Sequence, residues 1–176
     1  TGTPITDAEV SVTYFNNAHG GLAYLVDSVV SWVGGEISGN TVDSTSATTS
    51  SGVALNASRS EVHLEDLDIR DNAYSVVKTS SSSSSIAYLQ GMVYLYDADT
   101  TLSGVSVDDN AASVYSESTS SSGMGHAYLG LGLVIQEGTF AWDGGSLSGN
   151  VGVGEASDQS QSLLVYATGT PLQLTD

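Results

Sequence analysis

Any chemistry in this sequence has to be done with carboxylates. Asp and Glu number 20, against 3 Lys and Arg and 3 His, and there is no Cys. The one adjacent pair of aspartates is Asp108-Asp109, and the nearest histidine pattern is Gly125-His126. Two carboxyl groups can hydrolyse a neutral glycan by acid–base work. Yet Asp108-Asp109 stands directly before Asn110, just as Asp71 stands before Asn72, so the position reads as a solvent-facing turn. Asp66-Leu-Asp68 and Asp97-Ala-Asp99 place two carboxylates at a spacing of two. On a strand that is one face, which suits calcium in principle. No glycine-rich calcium repeat accompanies them, so the expectation is surface acidity with at most weak calcium binding and no cofactor. His19, His63 and His126 are isolated and offer no ligand cluster. The sequence thus predicts a protein that is not an enzyme, with no catalytic and no metal residues.

The charge balance narrows the partners. A net charge of −17, with Arg59, Arg70 and Lys78 as the only fixed cations, excludes phosphate contacts as a basis for binding nucleic acid. It equally disfavours an anionic membrane surface. No stretch approaches the ~18 uninterrupted apolar residues of a membrane span. The first residue is Thr1, and the expectation is a mature product or an excerpt of a longer chain. With 20 Gly and only 2 Pro, many tight turns without proline are expected.

The elements that must position these residues recur along the chain. One pattern is an aliphatic residue, two spacers and Asn: Ile37-Ser-Gly-Asn40, Ile69-Arg-Asp-Asn72, Val107-Asp-Asp-Asn110 and Leu147-Ser-Gly-Asn150, with a weaker copy ending at Asn17. These anchors are separated by 23, 32, 38 and 40 residues in turn. Between them fall Leu22-Ala-Tyr-Leu25, Val53-Ala-Leu55, Ile86-Ala-Tyr-Leu89, His126-Ala-Tyr-Leu129 and Leu163-Leu-Val-Tyr166. Ser/Thr-rich stretches at 43–51, 78–85, 116–122 and 155–162, shrunk to 18–21 in the first copy, share one phase. The ends repeat Thr-Gly-Thr-Pro at 1–4 and 168–171, an offset of 167 residues. The chain therefore reads as one unit over 1–176, one period of about 167 residues in a longer tandem array or filament.

Segments between turns alternate apolar and polar, as in Val10-Ser-Val12 and Val62-His-Leu64, and β-branched residues are common. The fold class is all-β. The expected architecture is a parallel β-helix, or β-solenoid, of about five coils with variable Ser/Thr-rich loops on one edge. Asn17, Asn40, Asn72, Asn110 and Asn150 then form a structural ladder at a corner, each amide donating to the next, in the left-handed conformation such corners require. Tyr24, Tyr88 and Tyr128 share one column. Packed inward it is core; pointing outward, opposite the small Ala23, Ala87 and Ala127, it is a carbohydrate-binding stripe. Asn56-Ala-Ser58 is the one N-glycosylation sequon.

Gly-Gly-x-Ile-x-x-Asn at 34–40 and its relatives resemble the right-handed parallel β-helix superfamily, and are similar to repeats of autotransporter and polymorphic outer-membrane adhesin passengers. That resemblance implies right-handed coiling and an extracellular or cell-surface location. Polygalacturonase-like members of the superfamily carry paired aspartates, Gly-His-Gly and a basic triplet. Here Ala127 replaces the last Gly and no Arg-x-Lys follows, which leaves that activity without its parts. The expected function is an extracellular structural or adhesive repeat that forms or decorates a surface fibre, with copies stacking end to end. The alternative is an adhesin passenger binding a host glycan or protein, and a polysaccharide-degrading enzyme is the third reading.

Overall fold

The computed structural model describes residues 5–6, 9–13, 17–19, 23–45, 49–51, 54–81, 84–169 and 172–175. Among them there are strands, turns and bends but no helix, and so no helix long and apolar enough to cross a membrane. The first strands are β1 (Ile5–Thr6), β2 (Glu9–Thr13), β3 (Asn17–His19), β4 (Ala23–Val26), β5 (Val29–Ser38) and β6 (Thr41–Thr45). There follow β7 (Thr49–Ser51), β8 (Leu55–Ser58), β9 (Glu61–Arg70), β10 (Ala73–Ser80), β11 (Ser84–Gln90) and β12 (Val93–Asp108). The last are β13 (Ala111–Ser118), β14 (Met124–Ser148), β15 (Val151–Ala156), β16 (Gln159–Thr168) and β17 (Leu172–Thr175). All-β character with parallel pairing is as the alternating sequence predicts.

Four rows of register organise these strands. The first row aligns Ile5, Ile37, Ile69, Val107 and Leu147. The second aligns Glu9, Thr41, Ala73, Ala111 and Val151. A third aligns Asn17, Thr49, Tyr88, Tyr128 and Gln161. The fourth aligns Ala23, Leu55, Val93, Leu133 and Val165. Every one of these pairings is parallel. The long β12 runs through a bend from the fourth row into the first, and β14 runs from the third through the fourth into the first.

Alternation along each strand fills the interior. In β9, Val62, Leu64, Leu67 and Ile69 are buried while Glu61, His63, Asp68 and Arg70 are exposed. Ile37, Ile69 and Val107 are fully buried one above another, as the aliphatic column predicts. Burying each such side chain contributes about 2 kcal/mol. Leu55, Leu95, Leu133 and Ile135 do the same on the fourth row.

Bends are made at repeated left-handed positions. Gly39, Asp71, Asp109 and Gly149 have φ of 66, 55, 54 and 64°. The left-handed residue is thus the one before each Asn, not the Asn itself as expected from its tolerance of that conformation. Gly and Asp are the residue types that tolerate it at lowest cost. A second such series, Asp27, Arg59, Asp97 and Glu137, turns the fourth row into the first. The sequence signal for it is a charged residue before a small one: Asp27-Ser28, Arg59-Ser60, Asp97-Ala98 and Glu137-Gly138. At the last of these no side chain fits at all: a Cβ on Gly138 would lie 2.3 Å from the Ala98 carbonyl oxygen.

Register also explains the unequal anchor spacing. Thr45 to Thr49 takes four residues, whereas the equivalent path from Val77 to Tyr88 takes eleven and that from Tyr115 to Tyr128 takes thirteen. The Ser/Thr-rich stretches at 78–85 and 116–122 therefore do sit at one corner, between the second and third rows. The short 18–21 stretch does not: Ala18 and His19 belong to β3, on the third row itself. Of the two Thr-Gly-Thr-Pro segments, 1–4 and 170–171 lie outside the described residues, but the aliphatic residues that follow them are out of phase. Ile5 stands in the column of Leu147, but Leu172 pairs with Phe140, earlier along the same row. A 167-residue structural period would put Ile5 and Leu172 in one column, so the recurrence is not one.

Candidate functional site

The asparagine column is the most completely bonded polar feature. The Asn72 side-chain oxygen accepts from the backbone N–H of Asn40 at 3.1 Å and from its Nδ2 at 2.9 Å. Asn110 Oδ1 accepts the same pair from Asn72, at 3.1 and 2.9 Å, and Asn150 Oδ1 from Asn110, at 3.0 and 2.9 Å. Each Nδ2 also reaches back to a carbonyl on the previous strand layer: Asn72 to Ile37, Asn110 to Ile69 and Asn150 to Val107. Asn40, Asn72 and Asn110 are at most 1% exposed. Buried amides this well paired brace a corner rather than present a site. Asn17 is not part of the column. It pairs with Thr49 on the third row, while the position equivalent to Asn40 lies between Thr6 and Glu9, outside the described residues.

The tyrosines divide between two rows. Tyr88 and Tyr128 are register partners whose rings stack at 4.8 Å with 11° between planes. Ala87 and Ala127 are fully buried, so these two tyrosines do point outward. Tyr24 belongs elsewhere: it pairs with Asn56 on the fourth row. The shared letters Ala-Tyr-Leu misled because strand alternation has period two on every row, so a short motif does not tell one row from another.

Where the third row bends into the fourth, outward side chains from both rows converge on a groove of about 280 Å³. Tyr88, Tyr128, Gln90 and Leu163 come from the third row and Gln136 and Tyr166 from the fourth. The Tyr94 hydroxyl donates to Gln136 Oε1 at 3.0 Å and steadies that amide. Burial, with Tyr96 beside it, pushes the Tyr94 phenol above its ordinary pKa, so it stays a neutral donor. The columns through Tyr94–Val134–Tyr166 and Gln90–Gly130–Leu163, on either side of the bend, are what a single-motif reading of the sequence misses.

The acidic candidates separate. Asp108 lies on the first row and His126 on the third. Burial alone would raise the Asp108 carboxyl, but hydrogen bonds from Ser146 Oγ and from Ser148 N and Oγ outweigh it and hold the group below the usual carboxylate range. Asp109 sits at a left-handed bend. His126 is half-buried, with Nε2 at 3.8 Å from Asp158 Oδ2. Asp66 and Asp97 also occupy left-handed bends, so neither shares a flat strand face with Asp68 or Asp99 as the spacing of two suggested. Among the described residues no three or more His, Cys, Asp or Glu come together as a metal site. The side chain of His19 lies outside the described residues. The arginines join strands: Arg59 binds Asp27 at 2.7 and 2.9 Å and lowers its pKa, and Arg70 binds Glu36 at 2.8 Å and Asp71 at 2.6 Å.

Asn56 is corrected too. It is 3% exposed in β8, which is paired on both sides by β4 and β12. The folded chain leaves no room there for an N-linked glycan. Compared with family models, with curated proteins and with solved structures, the chain matches none.

Proposed function

We propose that the four rows close into a parallel β-solenoid of about five coils, and that this solenoid is an extracellular structural or adhesive unit of a surface fibre. The observation that carries the reading is phase: the Asn40–Asn72–Asn110–Asn150 column, buried in its first three members, and the aliphatic column beside it keep register although the connections differ in length. A chain that holds its rows while its corner loops vary is built to extend along one axis. The resemblance to right-handed β-helix adhesin passengers supports the same reading, as does an acidic, Ser/Thr-rich exterior that stays solvated outside the cell. Further layers, from the same polypeptide or from a second copy, would continue the same rows by parallel pairing with an open strand edge.

Electron microscopy with fibre diffraction on the purified chain tests this. The expected result is elongated particles with an axial repeat near ~4.8 Å, the parallel strand spacing. Compact, monodisperse particles at every concentration, with no such axial repeat, would remove the fibre reading.

A further inference from the structure

We infer that the groove between Tyr88, Tyr128 and Tyr166 is a binding site for a short, neutral oligosaccharide. The inference stands on the groove alone and does not depend on fibre assembly. The first argument is charge. The chain carries −17, yet the described residues that line the groove include no Asp, Glu, Lys, Arg or His, and His126 lies only beside it, its ring 6.4 Å from that of Tyr128. A lining without charged side chains on so acidic a chain has no counter-ion to offer a charged ligand, and the surrounding field repels an anionic one. The second argument is the kind of polarity present. Three tyrosines bring an apolar ring body with a hydroxyl tip, and Gln90 and Gln136 bring amides that both donate and accept. Such a mixture matches a sugar, whose apolar C–H surface alternates with hydroxyls, better than a purely apolar ligand. A largely apolar concave site with a few placed polar groups is the ordinary form of a small-molecule pocket.

Shape supplies the third argument. Gly130 lets Val134 pack close beneath the groove: a Cβ there would lie 2.7 Å from Val134 Cγ2. The lining residues repeat from strand to strand, with Tyr88 beside Tyr128 and Val134 beside Tyr166 in register. The groove therefore runs across strands and takes a linear ligand of more than one sugar unit.

Isothermal titration of the full chain tests this against hexasaccharides of glucose, xylose, mannose and N-acetylglucosamine, with a galacturonic acid hexamer as the anionic probe. At least one neutral hexamer should bind with a dissociation constant of about 1 mM or tighter. Tyr166→Ser should weaken that binding roughly tenfold while the fold, followed by circular dichroism, is kept. Tyr166 is 41% exposed, so its loss leaves no cavity. Val153→Ser, on the second row and away from the groove, should bind as the parent does. Absence of binding by every neutral hexamer, binding of the anionic hexamer as tight as any neutral one, or a Tyr166→Ser variant that binds unchanged would each overturn the assignment.

Discussion

At the residue scale the decisive groups are amides and carboxylates with no freedom left. Asn110 Oδ1 accepts from both the backbone and side chain of Asn72, and its Nδ2 serves Ile69 and Asn150. Asn110→Ala therefore takes the side-chain acceptor from the buried Asn72 backbone N–H, leaves Asn72 Nδ2 with Ile37 alone, and removes a donor from the Ile69 carbonyl and from Asn150 Oδ1. A buried polar group that loses its partner costs ~1–3 kcal/mol, so a loss of about 3 kcal/mol is expected in urea denaturation. A loss below about 1 kcal/mol would mean that water replaces the amide at this corner. Asp108 gives a pH signature of known sign. Its carboxyl is held below the ordinary range by Ser146 and Ser148, against the opposing effect of burial. A depressed folded pKa stabilises fully above the unfolded value of about 4 and is lost as pH falls through the folded pKa. Asp108→Asn should thus be less stable than the parent at neutral pH, and the gap should close on acidification below about pH 4. A gap that does not change with pH would mean the hydrogen bonds do not depend on the charge.

The element scale shows what a sequence can and cannot place. The aliphatic-x-x-Asn segments at 37–40, 69–72, 107–110 and 147–150 were legible because an amide ladder demands the same residue at every level. The Ser/Thr-rich loops at 78–85 and 116–122 were legible as one corner because inserted length is cheap only where the chain leaves the sheet. Tyr24 and Asn17 were misplaced for one physical reason: alternation separates inside from outside but does not number the rows. The groove escaped notice because Gln136 and Tyr166 enter it from a different row than Tyr88. The same logic predicts opposite outcomes for two insertions. Two Gly-Ser residues added between Ser120 and Ser121, in the corner loop, should change stability by no more than about 0.5 kcal/mol. One residue added between Thr100 and Thr101 turns inward-facing Leu102 outward and Thr101 inward, and should abolish cooperative thermal unfolding. Equal tolerance at the two positions would refute the register on the first row.

At the scale of the whole molecule, parallel stacking puts like charges next to one another. Glu61 and Asp99 are register partners with exposed side chains, and Glu36 and Asp68 are partners one bend away. Arg70 offsets the second pair, through Glu36. A net charge of −17 spread along such columns repels itself within the molecule and between copies. Exposed repulsion of this kind is screened over a Debye length of about 10 Å at 0.1 M salt. Raising NaCl from about 10 mM to about 150 mM should therefore raise the melting temperature by roughly 2–4 °C, the shift that about 1 kcal/mol gives a chain of this size. Calorimetry at matched ionic strength in NaCl and in sodium sulfate separates screening from surface exclusion, because only sulfate adds the second effect. The fibre reading ties assembly to the same variable: approach of two −17 copies should be slow in low salt and should quicken across the same range. A melting temperature that stays flat or falls between those salt concentrations would show that the stacked carboxylates are not an appreciable cost to the fold, and charge would then not be what sets the onset of assembly.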